Sequence, residues 1–421
     1  MRSNYRRIGD FIREVDERNT GLKVKNLLGL SISKEFIPSV ANLIGTDMEN
    51  YKIVRLNQFA CSTMQVRRDK KMPVALLKEV DEAIISQAYP VFEITDTDAL
   101  LPEYLMMWFS RQEFDREACF YAIGGVRGSL EWEDFCNMQL PIPSPDKQKE
   151  IVKEYKIITD RIALNERMVQ RLEETAQAIY RQWFVDFEFP DEDGKPYKSS
   201  GREMEYNEQL KQDIPKAWKQ VSIQKLIDDK IIDKNQDGNH GEIHPKSADY
   251  VKDGIPFIMA KDIINGTLNL YDCNFISKAQ AYSLRIGFAK SGDVLLTHKA
   301  TMGRIAIVPD IGGFIVLTPQ VTYYRTKSER EMSKEYLYSL FASEKFQNIL
   351  NEQSDQSTRK FLSILNQRLL EVLLPTKNVI ELHRQILKPL LEFKRIKAQE
   401  TILLISMSNI LMAKMSTTTK L

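Results

Sequence analysis

The sequence is poor in the features that mark metal, disulfide or membrane proteins. Its 421 residues hold four cysteines, Cys61, Cys119, Cys136 and Cys273, with no CxxC pair and no metal-ligand spacing, so reduced thiols are the simplest reading. No apolar run approaches the ~18 residues of a membrane span; Ile402 to Ile405 is far too short. Met1-Arg2-Ser3-Asn4-Tyr5-Arg6-Arg7 leads into no apolar signal core, and a cytoplasmic protein without membrane association is expected. A dominant charge is also missing. The net charge is +1, so any contact with nucleic acid must come from local basic patches. There is no GxxxxGK[ST] phosphate loop, and Gly124-Gly125-Val126-Arg127-Gly128 fails the dinucleotide-loop spacing. There is no Asn/Asp-Pro-Pro-Tyr/Phe motif either. His240 and His244 stand four apart, but Gly238, Gly241 and Pro245 oppose the helix that would make them zinc ligands. Asp191, Asp193 and Lys195 crowd one linker and flank no strand, unlike a nuclease cluster. A bound metal or cofactor is not expected.

What is present is a repeat. Glu103-Tyr104-Leu105 recurs as Glu335-Tyr336-Leu337, and Phe109, Phe114 and Arg127 match Phe341, Phe346 and Arg359, all at one offset of 232 (103 to 335). Leu140-Pro141 returns as Leu374-Pro375. With 43% hydrophobic and 28% charged residues, either half can bury a core. Strands are expected at Tyr51–Leu56, Tyr89–Ile94, Ile255–Met259, Asp293–Thr297, Arg304–Val308 and Val321–Arg325, and helices from Leu101 to about Phe120 and from Glu335 to about Asn351.

A long helix-forming stretch follows each Leu-Pro. In the first, Ile151, Tyr155, Ile158, Ile162, Asn165, Val169, Leu172, Ala176, Ile179 and Trp183 alternate by four and three, the seam of a coiled coil. Asp146 is the expected N-cap, and the helix from about 146 to 186 spans roughly 60 Å. Asn165, the one polar member, either fixes register at a cost in stability or reaches solvent at the seam edge. In the last stretch Ile386, Leu390, Phe393, Ile396, Leu403, Met407 and Ile410 fall on roughly one face, and Pro389 is expected to start or kink the helix. Packing the two helices antiparallel is the economical solution. The expectation is therefore an α+β chain: two globular α/β domains, 1–143 and 213–376, separated by long helices at 144–189 and 377–421, with a linker at 190–212 and a pseudo-twofold internal repeat.

These residues resemble the specificity subunits of type I restriction-modification systems. The resemblance covers essentially the whole length. It is carried by Glu103 to Ile151 with Leu140-Pro141-Ile142-Pro143, by Ile214-Pro215-Lys216-Ala217-Trp218, where the family more often has glycine at 217, and by Gly292-Asp293-Val294-Leu295-Leu296-Thr297 followed by Gly303-Arg304-Ile305-Ala306. It implies a non-catalytic subunit with two target-recognition domains, each reading one half of a bipartite site in double-stranded DNA. The helices would set the half-site spacing and dock two methyltransferase subunits, which restriction subunits would join. S-adenosylmethionine, ATP and magnesium are then expected in those partners. A coiled-coil protein–protein scaffold that binds no DNA is the competing reading.

Basic loops are the candidate DNA contacts. Arg67, Arg68, Lys70 and Lys71 suit phosphates. Gln65 and Arg127 suit adenine and guanine edges. In the second half His298, Lys299, Thr301 and Arg304 occupy a loop between strands, and Arg359 and Lys360 another. For the matched pair Arg127 and Arg359, a structural role in fixing the loop stands beside DNA contact.

Overall fold

The computed structural model describes residues 5–39, 47–122, 128–355 and 361–415. The chain folds as two compact units, residues 1–162 with 404–421 and residues 163–403. Each is built on an antiparallel four-stranded sheet of the same topology. In the first unit the order is Ile12–Val15, Val91–Ile94, Phe59–Cys61, Val74–Leu76. In the second it is Ile232–Gln236, Val321–Thr326, Val294–Thr297, Ile305–Ile307. Phe59 faces Phe92 across one sheet, and Val294 faces Tyr324 across the other. Central strands covered on both faces read as continuous apolar runs, Phe59-Ala60-Cys61 and Val294-Leu295-Leu296, all buried. The second unit adds a five-stranded sheet in which Ile255–Ile258 and Ile315–Leu317 pair in parallel.

The repeated residues hold repeated contacts. Phe109 meets Phe114 at 4.9 Å between ring centres, and Phe341 meets Phe346 at 4.7 Å. The Tyr104 hydroxyl donates to the Pro141 carbonyl at 3.1 Å, and the Tyr336 hydroxyl donates to the Leu373 carbonyl. A two-stranded ribbon carries each acceptor: Tyr5–Arg7 with Gln139–Pro141, and Lys219–Ser222 with Glu371–Leu374. The helix expected from Leu101 is in fact two, Pro102–Phe109 and Gln112–Tyr121, and its counterpart is also two, Lys334–Ala342 and Glu344–Asp355. Both break at one extended residue, Arg111 (ψ 143°) and Ser343 (ψ 145°). Arg111 stacks 4.1 Å over the Trp108 ring. The Ser343 hydroxyl receives the Phe346 N–H, capping the next helix.

The first long helix, Pro145–Phe184, starts on a proline, which needs no N–H partner there, so Asp146 lies inside the first turn and is not the cap. The C-terminal helix, Lys377–Lys414, runs through Pro389, which is exposed; Gln385, whose carbonyl loses its partner, is exposed too. Within the first unit Tyr155 hydrogen-bonds Ser408 and Ile151 shares a core with Met415. Within the second the Trp183 and His383 rings lie 5.8 Å apart, and further along Lys394 pairs with Glu173. In each unit the two helix segments therefore run antiparallel.

Ile151, Asn165, Val169, Ala176 and Trp183 are buried, and Tyr155, Ile158, Ile162, Leu172 and Ile179 half-buried. The C-terminal helix corrects its expected seam. Ile386, Phe393, Leu403 and Met407 are exposed, as are Ile396 and Ile410, while Leu390 is half-buried. The inward residues are instead Val379, Ile380, His383, Leu387, Lys394 and Ser408, and Met415 just past the helix end is buried too. This helix is apolar on two faces, and its polar inward residues find partners or aromatic neighbours. The stretch 190–212, read as a linker, packs on the second unit: Phe189 stacks on Trp218 at 5.1 Å and on Tyr197 at 4.6 Å, and Met204–Asn207 pairs with Gln212–Pro215.

Candidate nucleic-acid interface

In the first unit the basic turn joins the sheet strands Phe59–Cys61 and Val74–Leu76. Buried Val66 and Met72 hold it from below. Asp115 accepts the Met72 N–H at 3.1 Å and the Lys34 ammonium at 2.7 Å; burial lowers the Lys34 pKa, and the Asp115 carboxylate opposes that shift. The Cys119 thiol donates to the Val66 carbonyl at 3.4 Å, tying the turn to helix Gln112–Tyr121. Arg67, Arg68, Lys70 and Lys71 are exposed and Gln65 is half-buried. Gln65 (φ 62°) and Lys70 (φ 52°) take left-handed conformations that tighten the turn. Arg68 pairs with Asp69 at 2.6 Å. Arg67, Lys70 and Lys71 make no ion pair among the described residues.

In the second unit the loop from His298 to Arg304 joins Val294–Thr297 to Ile305–Ile307, the corresponding strands. The two basic loops thus occupy the same place in the repeated sheet. The equivalence extends to the backbone: Leu130 donates to the Thr63 carbonyl at 2.9 Å, and Leu362 to the His298 carbonyl at 3.0 Å. Leu130 and Leu362 differ by the repeat offset.

The loop residues divide by exposure. Lys299 and Thr301 are exposed, and the Lys299 ammonium lies 5.8 Å from the Phe361 ring centre. Arg304 is exposed, but its guanidinium donates to the Ala260 and Ile263 carbonyls at 3.1 and 3.3 Å. His298 is fully buried and offers a duplex no surface. Its Nδ1 donates to the Leu362 carbonyl at 2.9 Å; Nε2 has no hydrogen-bond partner among the described residues and lies 3.9 Å from Asp237 Oδ2. Burial pushes the imidazole pKa down, which favours the neutral ring, while the Leu362 carbonyl and Asp237 oppose that shift. Gly303 (φ 81°) packs so closely that a Cβ would fall 2.2 Å from Gln347 Oε1. Arg127, Arg359 and Lys360 lie outside the described residues. His240 pairs with Asp237 at 2.7 Å, and no metal-ligand group occurs among the described residues.

Sequence reasoning missed two exposed aromatics. Phe120 is 82% exposed and follows Cys119, whose thiol ties its helix to the basic turn; Phe361 is 38% exposed beside Lys299. Aromatics next to basic loops are a recognisable nucleic-acid signal.

No helix among the described residues is long and apolar enough to cross a membrane. No family model matches the sequence. The chain is 26% identical over 224 residues, 51% of its length, to the type I restriction enzyme MjaIX specificity subunit of Methanocaldococcus jannaschii. It is 28% identical over 112 residues, 26% of its length, to the HindI specificity subunit of Haemophilus influenzae. The matched regions span 46% and 24% of those relatives, less than half of either. A solved type I restriction-modification S subunit from M. genitalium shares the fold: TM-score 0.57, 11% identity, 98% of this chain and 95% of that one covered. In sequence over about half its length and in fold over nearly all of it, the chain resembles the specificity subunits of type I restriction enzymes.

Proposed function

We propose that this chain is the DNA-reading subunit of a type I restriction-modification complex, each unit reading one half of a bipartite duplex site. The observation that carries this is the shared position of the two basic loops in the repeated sheet, each joined by the same backbone bond (Leu130 to Thr63, Leu362 to His298). Arg67, Lys70 and Lys71 neutralise phosphates, and Lys299 and Thr301 enter the groove; His298 and the Arg304 guanidinium brace the second loop.

Methyl transfer and cleavage belong to partner subunits, which supply S-adenosylmethionine, ATP and magnesium, and the complex works in the cytoplasm. The exposed apolar residues of the C-terminal helix are the docking surface for two modification subunits: Leu382, Ile386, Phe393, Ile396 and Leu403 in the second unit, and Ile405, Met407 and Ile410 in the first.

The test is reconstitution with a methyltransferase encoded alongside the chain. With labelled S-adenosylmethionine and a random DNA library, the chain alone transfers no methyl group, and the complex methylates one two-part sequence. Methylation by the chain alone, or sequence-blind methylation by the complex, overturns the reading.

A further inference from the structure

The helix pair carries a charge buried where its expected apolar seam should be. Lys394 is 1% exposed. Its ammonium sits 2.5 Å from Glu173 Oε2 on the first long helix and 2.8 Å from the Tyr338 hydroxyl on helix Lys334–Ala342. That hydroxyl donates to the same Glu173 oxygen at 2.8 Å. The three groups close a triangle. Burial lowers the Lys394 pKa, and Glu173 opposes the shift. The hairpin turn at Gly266 (φ 72°) covers the triangle: a Cβ there would fall 2.1 Å from the Tyr338 oxygen and 2.3 Å from the Lys394 nitrogen. All four residues belong to the second unit.

We propose that Glu173, Lys394 and Tyr338 form a phase lock that fixes the second recognition domain on the helix pair and so selects the half-site spacing; the proposal rests on the DNA-reading function above. Two residues sit on the two long helices, and the third and the glycine sit on the globular part. One bonded cluster thus sets both the axial register of the helices and the rotation of the domain about them. Sliding one helix by a single residue moves it about 1.5 Å, enough to break contacts of this length and leave an unpaired buried ammonium. An apolar seam opposes such a slip less sharply, because the hydrophobic driving force is non-directional. Asn165 cannot serve this purpose: it is fully buried, and neither side-chain atom has a partner among the described residues. Glu173, Lys394 and Tyr338 are positioning residues and need not touch DNA.

The test uses the full chain assembled with its modification subunits. Methylation rates are measured on duplexes whose half-sites are separated by the preferred spacer, one base pair more, or one fewer. The apolar replacement is Glu173→Leu with Lys394→Met and Tyr338→Phe, which leaves no lone charge. Tyr338→Phe alone is the second variant, keeping the ion pair and removing one side of the triangle. The wild type should favour one spacer by about tenfold or more. The triple variant, at unchanged melting temperature, should fall to about twofold, and Tyr338→Phe should lie between. Unchanged spacer preference in a folded triple variant overturns the lock while leaving DNA reading intact. If the triple variant does not fold, unchanged preference in Tyr338→Phe does the same. Failure of the wild-type complex to methylate any two-part site overturns the function on which the lock rests.

Discussion

Leu362 and His298 are joined twice: the Leu362 N–H donates to the His298 carbonyl at 3.0 Å, and His298 Nδ1 donates to the Leu362 carbonyl at 2.9 Å. In the first unit the corresponding pair, Leu130 and Thr63, keeps only the backbone bond, at 2.9 Å. The histidine therefore adds a brace to the loop that presents Lys299 and Thr301.

The exposed and buried members of these loops should respond differently to mutation. Arg67→Ala with Lys70→Ala should weaken cognate and non-cognate DNA alike and reduce the salt slope by about one for each phosphate no longer neutralised. Lys299→Ala should cost roughly 1–3 kcal/mol, mainly on cognate DNA. His298→Ala should instead lower the melting temperature. Salt titrations of the assembled complex and melts of the chain separate the three. Unchanged affinity and slope for both exposed variants would turn the loops away from the duplex.

Acid should unfold the second unit early, and His383 should be a principal cause. Its ring is fully buried beside Trp183, Phe184 and Tyr336, neither nitrogen has a partner among the described residues, and burial pushes its pKa down to about 3. The unfolded chain binds this proton near pH 6.5. The stabilising contribution is thus complete above about 6.5 and is lost as pH falls towards about 3, at up to about 1.4 kcal/mol per pH unit. His298 and His244 shift the same way, both through burial. His383→Phe should raise stability at pH 5 more than at pH 7.5. Denaturant melts at the two values check this, and equal gains would rule out protonation as the cause.

The fold was legible where apolar spacing decides it. The helix Pro145–Phe184 buries its four-three stripe, and Phe109 and Phe341 anchor matching cores because packing repeats with sequence. The C-terminal helix defeated the same reasoning. Its inward Lys394 is tolerable only through Glu173 and Tyr338, both remote in sequence, and its outward Phe393 and Met407 mimic a seam. The equivalence of the basic loops was hidden because the loops differ in length: Thr63 and His298 fall out of the register that relates Leu130 to Leu362. Nothing local marks His298 as buried, since Leu362 and Asp237 enclose it from other segments.

Asn165→Leu should stabilise the chain without changing the spacing it selects. The amide is buried with no partner among the described residues, so its removal recovers a desolvation cost of about 1–3 kcal/mol. Leucine is close enough in volume for the seam between Ile162 and Val169 to accept it. Thermal melts together with the spacer-length assay decide the matter. A loss of stability would mean that the amide has a partner, and a blurred spacing would return the register role to Asn165.

The exposed apolar stripe gives the last prediction. Phe393 and Ile396 are 41% and 45% exposed in the second unit, and Met407 and Ile410 are 54% and 58% exposed in the first. A run of large apolar side chains left in solvent along one helix is the feature on which the proposed docking of modification subunits rests. Phe393→Asp with Ile396→Ser, and separately Met407→Asp with Ile410→Ser, should change the melting temperature little, because these side chains are already substantially hydrated. Each pair should weaken capture of a modification subunit by about 2 kcal/mol or more if it lies at the centre of the contact. Sedimentation of the mixed subunits measures the stoichiometry. If each unit docks one modification subunit, either pair alone should reduce the complex from two modification subunits to one, and the four changes together should abolish assembly. Full assembly by the fourfold variant would place the docking surface elsewhere.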